Sequence, residues 1–188
     1  VEVSPQEIDP RANSLLITQD NQASFGHTPI DTTGIYTAVT GDIPLVSNGN
    51  NLQAGTGGDP HPRTVMGISQ DSRYVIWITI DGRQSGYSEG ATLDEAAQWL
   101  IRFGAYSGYN LDGGGSTTMV QSNGIGGSTV LNSPMGSGLF CNSSGQRYNG
   151  NNIGVWAEPV TYFDSYPEQR HDAVIFEPST GIWYGSHN

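Results

Sequence analysis

YVIWITIDGRQSGYSEGATLDEAAQWLIRFG, residues 74–104, holds a strand, a loop and a helix, each written in a different pattern. Tyr74 to Ile80 is β-branched or aromatic at nearly every position. An alternating pattern would leave one face wet, whereas a continuous apolar run reads as a strand covered on both faces. Asp81-Gly82 ends the run. Thr92 stands where an N-cap belongs, and Glu95 completes a capping box with it. Leu93, Ala96, Ala97, Leu100 and Ile101 share one face at helical spacing. Gly104 is placed to stop the helix. The stretch therefore predicts a buried strand followed by one well-capped helix over 92–103.

Upstream, Ser14 to Thr18 and Gly34 to Val39 read as short strands. Leu45-Val46 runs into the turn signal Ser47-Asn48-Gly49-Asn50-Asn51. A Gly, Asp and Pro loop from Gly55 to Pro62 precedes another expected strand, Thr64 to Ile68. Downstream, Ala105 to Leu111 is a short stretch leading into a glycine run, and Gln121 to Asn152 is rich in Gly, Ser and Asn. Ile153 to Ala157 looks like a late strand, and Ile182-Trp183-Tyr184 forms a second aromatic cluster in the tail. There is no convincing internal repeat. These readings predict an α+β fold: a mixed β-sheet, one helix beside the site, and long Gly-rich loops. The expected organisation is one domain over 1–160, with 161–188 a C-terminal tail or small β element.

With 188 residues the chain can bury one sizeable core. A formal net charge of −11 argues against polyanionic partners, nucleic acid and anionic membrane alike. It does not exclude a small anionic substrate, which needs only a few local cations. Lys and Arg together number only seven, so each one is informative. Cys141 is the sole cysteine, which rules out an intrachain disulfide. No apolar run approaches the roughly 18 residues of a membrane span. The 26 glycines suggest loops and β structure, and an aromatic content of 10% argues against a disordered chain.

The chemistry concentrates in Asn110-Leu111-Asp112-Gly113-Gly114-Gly115-Ser116-Thr117-Thr118-Met119. Without side chains, backbone N–H groups of such a run can face a phosphate oxygen or a sugar hydroxyl directly. Asp112 is the leading catalytic or ligand-orienting residue, although an Asp that caps the turn would look the same. Ser116, Thr117 and Thr118 can donate to a ligand or cap the loop. Other templates fail. No Lys follows the glycines as a phosphate-binding P-loop requires. Position 118 is Thr where a nucleophile elbow needs Gly. The four histidines lie at no zinc-ligand spacing. Asp112, Glu89 and loop carbonyls offer oxygen ligands of the kind Ca2+ takes, but their spacing does not demand the ion. Three further islands stand out. His61-Pro62-Arg63-Thr64 offers Arg63 as a phosphate clamp, against pairing with a structural carboxylate. Asp81-Gly82-Arg83 ends the best strand, where sites are commonly built. Glu89-Gly90 lies just before the helix N-cap, where an acid also complements the dipole.

Taken together and in this order, the islands resemble the phosphodiester glycosidase family. The resemblance is carried by HPRTVMGIS at 61–69, ITIDGRQSGYSEGATLDEAAQWLIRFGA at 78–105 and YNLDGGGSTTMV at 109–120, with support from IYTAVTGDIPLVSNGN at 35–50 and NNIGVWA at 151–157. It implies hydrolysis between a sugar's anomeric carbon and a phosphodiester oxygen, with no required cofactor. By position it implies Asp112, Glu89 and Arg63 as catalytic. It likewise implies Thr64, Asp81, Arg83, Asn110, Gly113, Gly114, Gly115, Ser116 and Thr117 as substrate-binding. The expected partner is a sugar-1-phosphodiester or glycan, in an extracellular or cell-surface setting. The chain lacks the Asn-Gly-rich, Phe-Phe-like motif expected in the family's N-terminal portion, so the expectation is a fragment, a processed product, or one part of an assembly in which another chain supplies that half. The alternative is a non-catalytic carbohydrate-binding or structural module of an extracellular assembly.

Overall fold

A computed structural model describes residues 13–27, 31, 33–123, 126–136, 142–143, 145–149 and 152–155, and the backbone of two strands further on. Cys141 and most of the tail lie outside the described residues. In chain order the strands are β1 Asn13–Thr18, β2 Ala23–His27, β3 Ile35–Gly41, β4 Pro44–Ser47, β5 Asn50–Asn51, β6 Arg63–Ser69 and β7 Val75–Ile80. The helix α1, Leu93–Arg102, leads into β8 Ala105–Asn110. The short strands β9 Val120–Ser122 and β10 Ser128–Val130 pair with each other, and β11 Ala173–Glu177 and β12 Ile182–Ser186 follow.

A seven-stranded sheet runs β12-β11-β7-β6-β8-β4-β5, and a three-stranded sheet runs β2-β1-β3. The predicted mixed sheet is corrected: every pairing among the described strands is antiparallel. The reason is topological. Strand, helix and strand do run β7-α1-β8 with β7 and β8 pointing the same way, but β6 lies between them and pairs with both. The expected late strand at 153 is corrected as well. Ile153 to Val155 enter no ladder, and Ile153 instead packs its side chain against the core; residues 156–157 lie outside the described residues. Among the described residues no helix is long and apolar enough to cross a membrane.

Around β6, β7 and β8 the large sheet is covered on both faces, as β7 foretells. Ile76 and Ile78 face a cluster with Val65, Leu45, Ala96, Ala97 and Leu100 of α1. Val75 and Trp77 face the other cluster, with Met66, Ile68 and Tyr109 against Leu15, Ile17, Phe25 and Val39 of the small sheet. Phe25 meets Tyr109 edge-on, with centroids 4.6 Å apart. The helix is capped as predicted: Glu95 N donates to the Thr92 hydroxyl at 3.2 Å, and Thr92 N donates to the Glu95 carboxylate at 2.8 Å. It ends at Phe103 and Gly104, the latter at φ +90°.

What seats the helix is a pair of missing side chains. Gly67 and Gly108 face each other in register on β6 and β8. A Cβ on Gly108 would stand 2.7 Å from a Leu100 methyl, and one on Gly67 would stand 3.2 Å from the other. The fully buried Leu100 thus drops into a notch in the sheet. Replacing Gly108 with Ala overpacks that notch and should destabilise the protein by about 1–3 kcal/mol. Gly57→Ala, in open space, should stay within about 0.5 kcal/mol of wild type. Urea midpoints of the two variants measure the contrast.

Candidate active site

Because β6 runs opposite to both neighbours, its start lies at the same edge of the sheet as the ends of β7 and β8. The register places Arg63 opposite Ile80 and Val65 opposite Asn110. Three segments far apart in sequence therefore meet: the loop before β6, the turn after β7 and the glycine run after β8. The turn between β3 and β4 joins them, since Asp42 N donates to Asn110 O and Asn110 N donates to Ile43 O, both at 2.8 Å.

The segments stack backbone on backbone around the buried Pro62. Its carbonyl accepts from Gly114 N at 2.9 Å, and a Cβ on Gly113 would lie 2.6 Å from that same oxygen. A Cβ on Gly82 would lie 2.7 Å from both Pro62 N and the Gly90 Cα. Gly90, at φ +108°, abuts the His61 peptide so closely that its Cβ would fall 2.4 Å from a backbone carbon. His61 and Ala91 exchange two backbone hydrogen bonds, of 3.1 and 3.0 Å. The first two glycines of the run thus have separate reasons: Gly113 is demanded by the Pro62 backbone, and Gly114 by its left-handed φ of +60°, with the Arg83 guanidinium beside it. Ser116 N and Thr117 N turn back to Gly113 O and Gly114 O, while the Gly113 and Gly115 N–H groups have no acceptor among the described residues.

The result is a cleft of about 310 Å³ lined by Asp42, Ile43, His61, Pro62, Arg63, Arg83, Asn110, Leu111, Asp112, Gly113–Gly115 and Arg147. The chain has seven arginines and no lysine. Three of them line this cleft. Arg73 and Arg102 instead lie over aromatic rings, Tyr74 and Trp99, and Arg11 and Arg170 lie outside the described residues. Arg63 donates from Nε to Ala91 O at 2.9 Å. Burial and, after it, the like charge of Arg83 pull its pKa below the ordinary arginine value. Cations gathered so in a strongly acidic chain make this cleft the place where a small anion would meet the most favourable charge among the described residues.

Of the residues singled out from sequence, Arg63, Arg83, Asn110, Asp112, Gly113, Gly114 and Gly115 come together on the cleft. Thr64 and Thr117 lie beneath it, their hydroxyls 3.4 Å apart and Thr117 fully buried. Asp81 does not line the cleft. Its carboxylate accepts from Asn132 Nδ2 at 2.9 Å, Ser133 N at 2.8 Å and the Tyr87 hydroxyl at 3.0 Å. Asn132 also donates to Thr117 O at 3.0 Å and accepts from Met119 N at 2.8 Å, so Asp81 and Asn132 latch the end of the glycine run. Glu89 is exposed and outside the lining, and its carbonyl accepts from Arg83 N at 3.1 Å. Ser116 is likewise outside the lining.

Sequence reasoning missed Asp42, His61 and Arg147 as cleft residues. Arg147 had one available signal, its rarity as a cation; Asp42 had none, since an Asp after Gly reads as a turn. No group of three or more His, Cys, Asp or Glu placed to hold a metal ion occurs among the described residues.

The sequence profile of phosphodiester glycosidases matches residues 3–156, and the chain belongs to that family. No curated protein matches it significantly. Among solved structures it is similar to the catalytic domain of zebrafish N-acetylglucosamine-1-phosphodiester alpha-N-acetylglucosaminidase, auto-inhibited by its pro-peptide. That similarity has 21% identity and a TM-score of 0.46, over 56% of this chain and 41% of the other. The chain thus spans well under half the length of that domain.

Replacing Asn132 with Ala removes the bridge between the Asp81 carboxylate and the glycine run. Amide exchange at Met119 and Ser133 should accelerate by about 10-fold, as expected for one lost part-buried hydrogen bond. Amides of β6 and β7 should be unchanged, which mass-spectrometric or NMR exchange resolves.

Proposed function

We propose that the cleft hydrolyses the bond between a sugar's anomeric carbon and a phosphodiester oxygen, releasing free sugar and a phosphomonoester. The observation that carries the proposal is the convergence of Arg63, Arg83 and Arg147 on one cleft with the carboxylates of Asp42 and Asp112. The arginines and the open Gly113 and Gly115 N–H groups suit a phosphate: planar forks match its oxygens, and fixed N–H dipoles favour its charge.

Cleavage at an anomeric carbon develops positive charge on the sugar and negative charge on the departing oxygen. A phosphate is a good leaving group, so the arginines stabilise its charge where an ordinary glycoside would need a proton donor. Asp112, exposed at the mouth of the glycine run, is the carboxylate assigned to the anomeric carbon. Asp42, pinned to the Asn110 backbone from the other side, replaces Glu89 as its carboxylate partner. Family membership supports this reaction class.

UDP-N-acetylglucosamine is a suitable probe, with free sugar measured as the product. Wild-type protein should release sugar, and Asp112→Asn should lose turnover by at least about 1,000-fold while keeping its thermal midpoint. A folded wild-type chain that releases no sugar from any sugar-1-phosphodiester overturns the reading in favour of a non-catalytic carbohydrate module. Arg147→Ala should cost about 10- to 100-fold in kcat/KM, the worth of one charge-assisted hydrogen bond. Raising ionic strength should weaken wild type more than this variant.

A further inference from the structure

Arg83 occupies the left-handed region, at φ +56°. Its side chain turns back across the cleft, with Nε and Nη2 lying 3.3 and 3.2 Å from one atom, Nδ1 of His61. A guanidinium has five donors and no acceptor. Both contacts therefore require Nδ1 to be the acceptor, which places the proton of the neutral imidazole on Nε2. The ring is itself anchored through its backbone, by the paired bonds to Ala91 and by Gly90 against its peptide. The same bridge serves Arg63, whose Nε donates to Ala91 O. One two-residue bridge thus holds two guanidiniums, one by an imidazole and the other by a carbonyl. Both holders are uncharged.

We infer that His61 is a positioning residue: its Nδ1 lone pair aims Arg83 at the substrate's phosphate without neutralising it. A carboxylate at this position would hold the guanidinium as firmly but would cancel the charge that the anion needs. A neutral acceptor gives direction and leaves the charge intact. Arg83 keeps Nη1 free of His61, beside Gly114, and Arg63 keeps both of its terminal nitrogens. His61, with Nδ1 committed to Arg83, is excluded as a general base at that atom. The inference rests on the phosphodiester reading of the cleft.

Two variants of the full chain separate the ring atoms. In His61→Asn the amide oxygen takes the place of Nδ1, whereas the longer His61→Gln reaches the place of Nε2. Two readouts are taken: sugar release from UDP-N-acetylglucosamine, and the side-chain Nε–H signals of arginine-labelled protein titrated with inorganic phosphate. With seven arginines in the chain, Arg83 is assigned by comparison with Arg83→Lys. The Asn variant should keep kcat/KM within about threefold of wild type and keep the Arg83 signal and its phosphate response. The Gln variant should lose about 10- to 100-fold, as expected when a binding group is misplaced by an ångström, and shift the Arg83 signal. Any other pattern overturns the inference. A Gln variant as active as wild type would assign the role to Nε2. Equal loss in both variants with an unmoved Arg83 signal would make His61 merely structural. If wild type releases no sugar, the phosphodiester reading fails by itself, and the Arg83 signal and phosphate response still decide whether His61 aims the guanidinium.

Discussion

Everything at the cleft depends on how closely three backbones can approach one another around Pro62. The loop before β6, the turn after β7 and the run after β8 pass at distances where a single Cβ at Gly82, Gly90 or Gly113 would collide with main chain. Backbone cannot yield as the end of a flexible side chain can, so these contacts behave as fixed hinges of the site. Arg63, Arg83 and Asp112 each stand within one residue of such a crossing. Their mutual placement follows from main-chain contact more than from long side chains reaching inward. That is an economical way to hold like charges near each other, because a rigid frame spares the entropy of fixing them on binding.

The sheet order supplies the second constraint. A β-α-β unit with an antiparallel strand inserted in its middle gathers one strand start and two strand ends at a single edge. Loops at that edge come from three separate parts of the chain, and the turn between β3 and β4 adds a fourth. The helix never touches this chemistry. Its role is to close one face of the sheet, held in place by the cap at Thr92 and by Leu100 in the glycine notch.

How much of this was legible follows from where the information lay. Strand β7 and helix α1 were plain in sequence because local pattern and tertiary burial agree there. Strand β8, AYSGYN, was read only as a short stretch, because Gly108 replaces the apolar residue that would have marked a central strand. The glycine is there for Leu100, a contact invisible to local pattern. The mixed sheet was the wrong expectation for a related reason: strand followed by helix announces a crossover, but nothing local says that β6 will slip between the two strands. At the site, Arg63, Arg83, Asn110, Asp112 and the three glycines, all carried by motif islands, do line one cleft, whereas Asp81, Glu89 and Ser116 from the same islands do not. Asp42 and Arg147 were missed, since long-range folding alone brings them in. Asp81 looked like a ligand group because it ends the best strand, yet three protein donors already occupy its carboxylate.

The absence of lysine from this chain has a consequence of its own. An ammonium begins to lose its charge within reach of mildly alkaline conditions once it is partly buried, whereas a guanidinium does not. A cleft whose cations are all arginine keeps its positive charge into the alkaline range, even with Arg63 drawn downward by burial and by Arg83. It is also indifferent to acylation and other chemistry directed at lysine side-chain amines. Reagents that seek guanidinium groups would strike at the cleft itself.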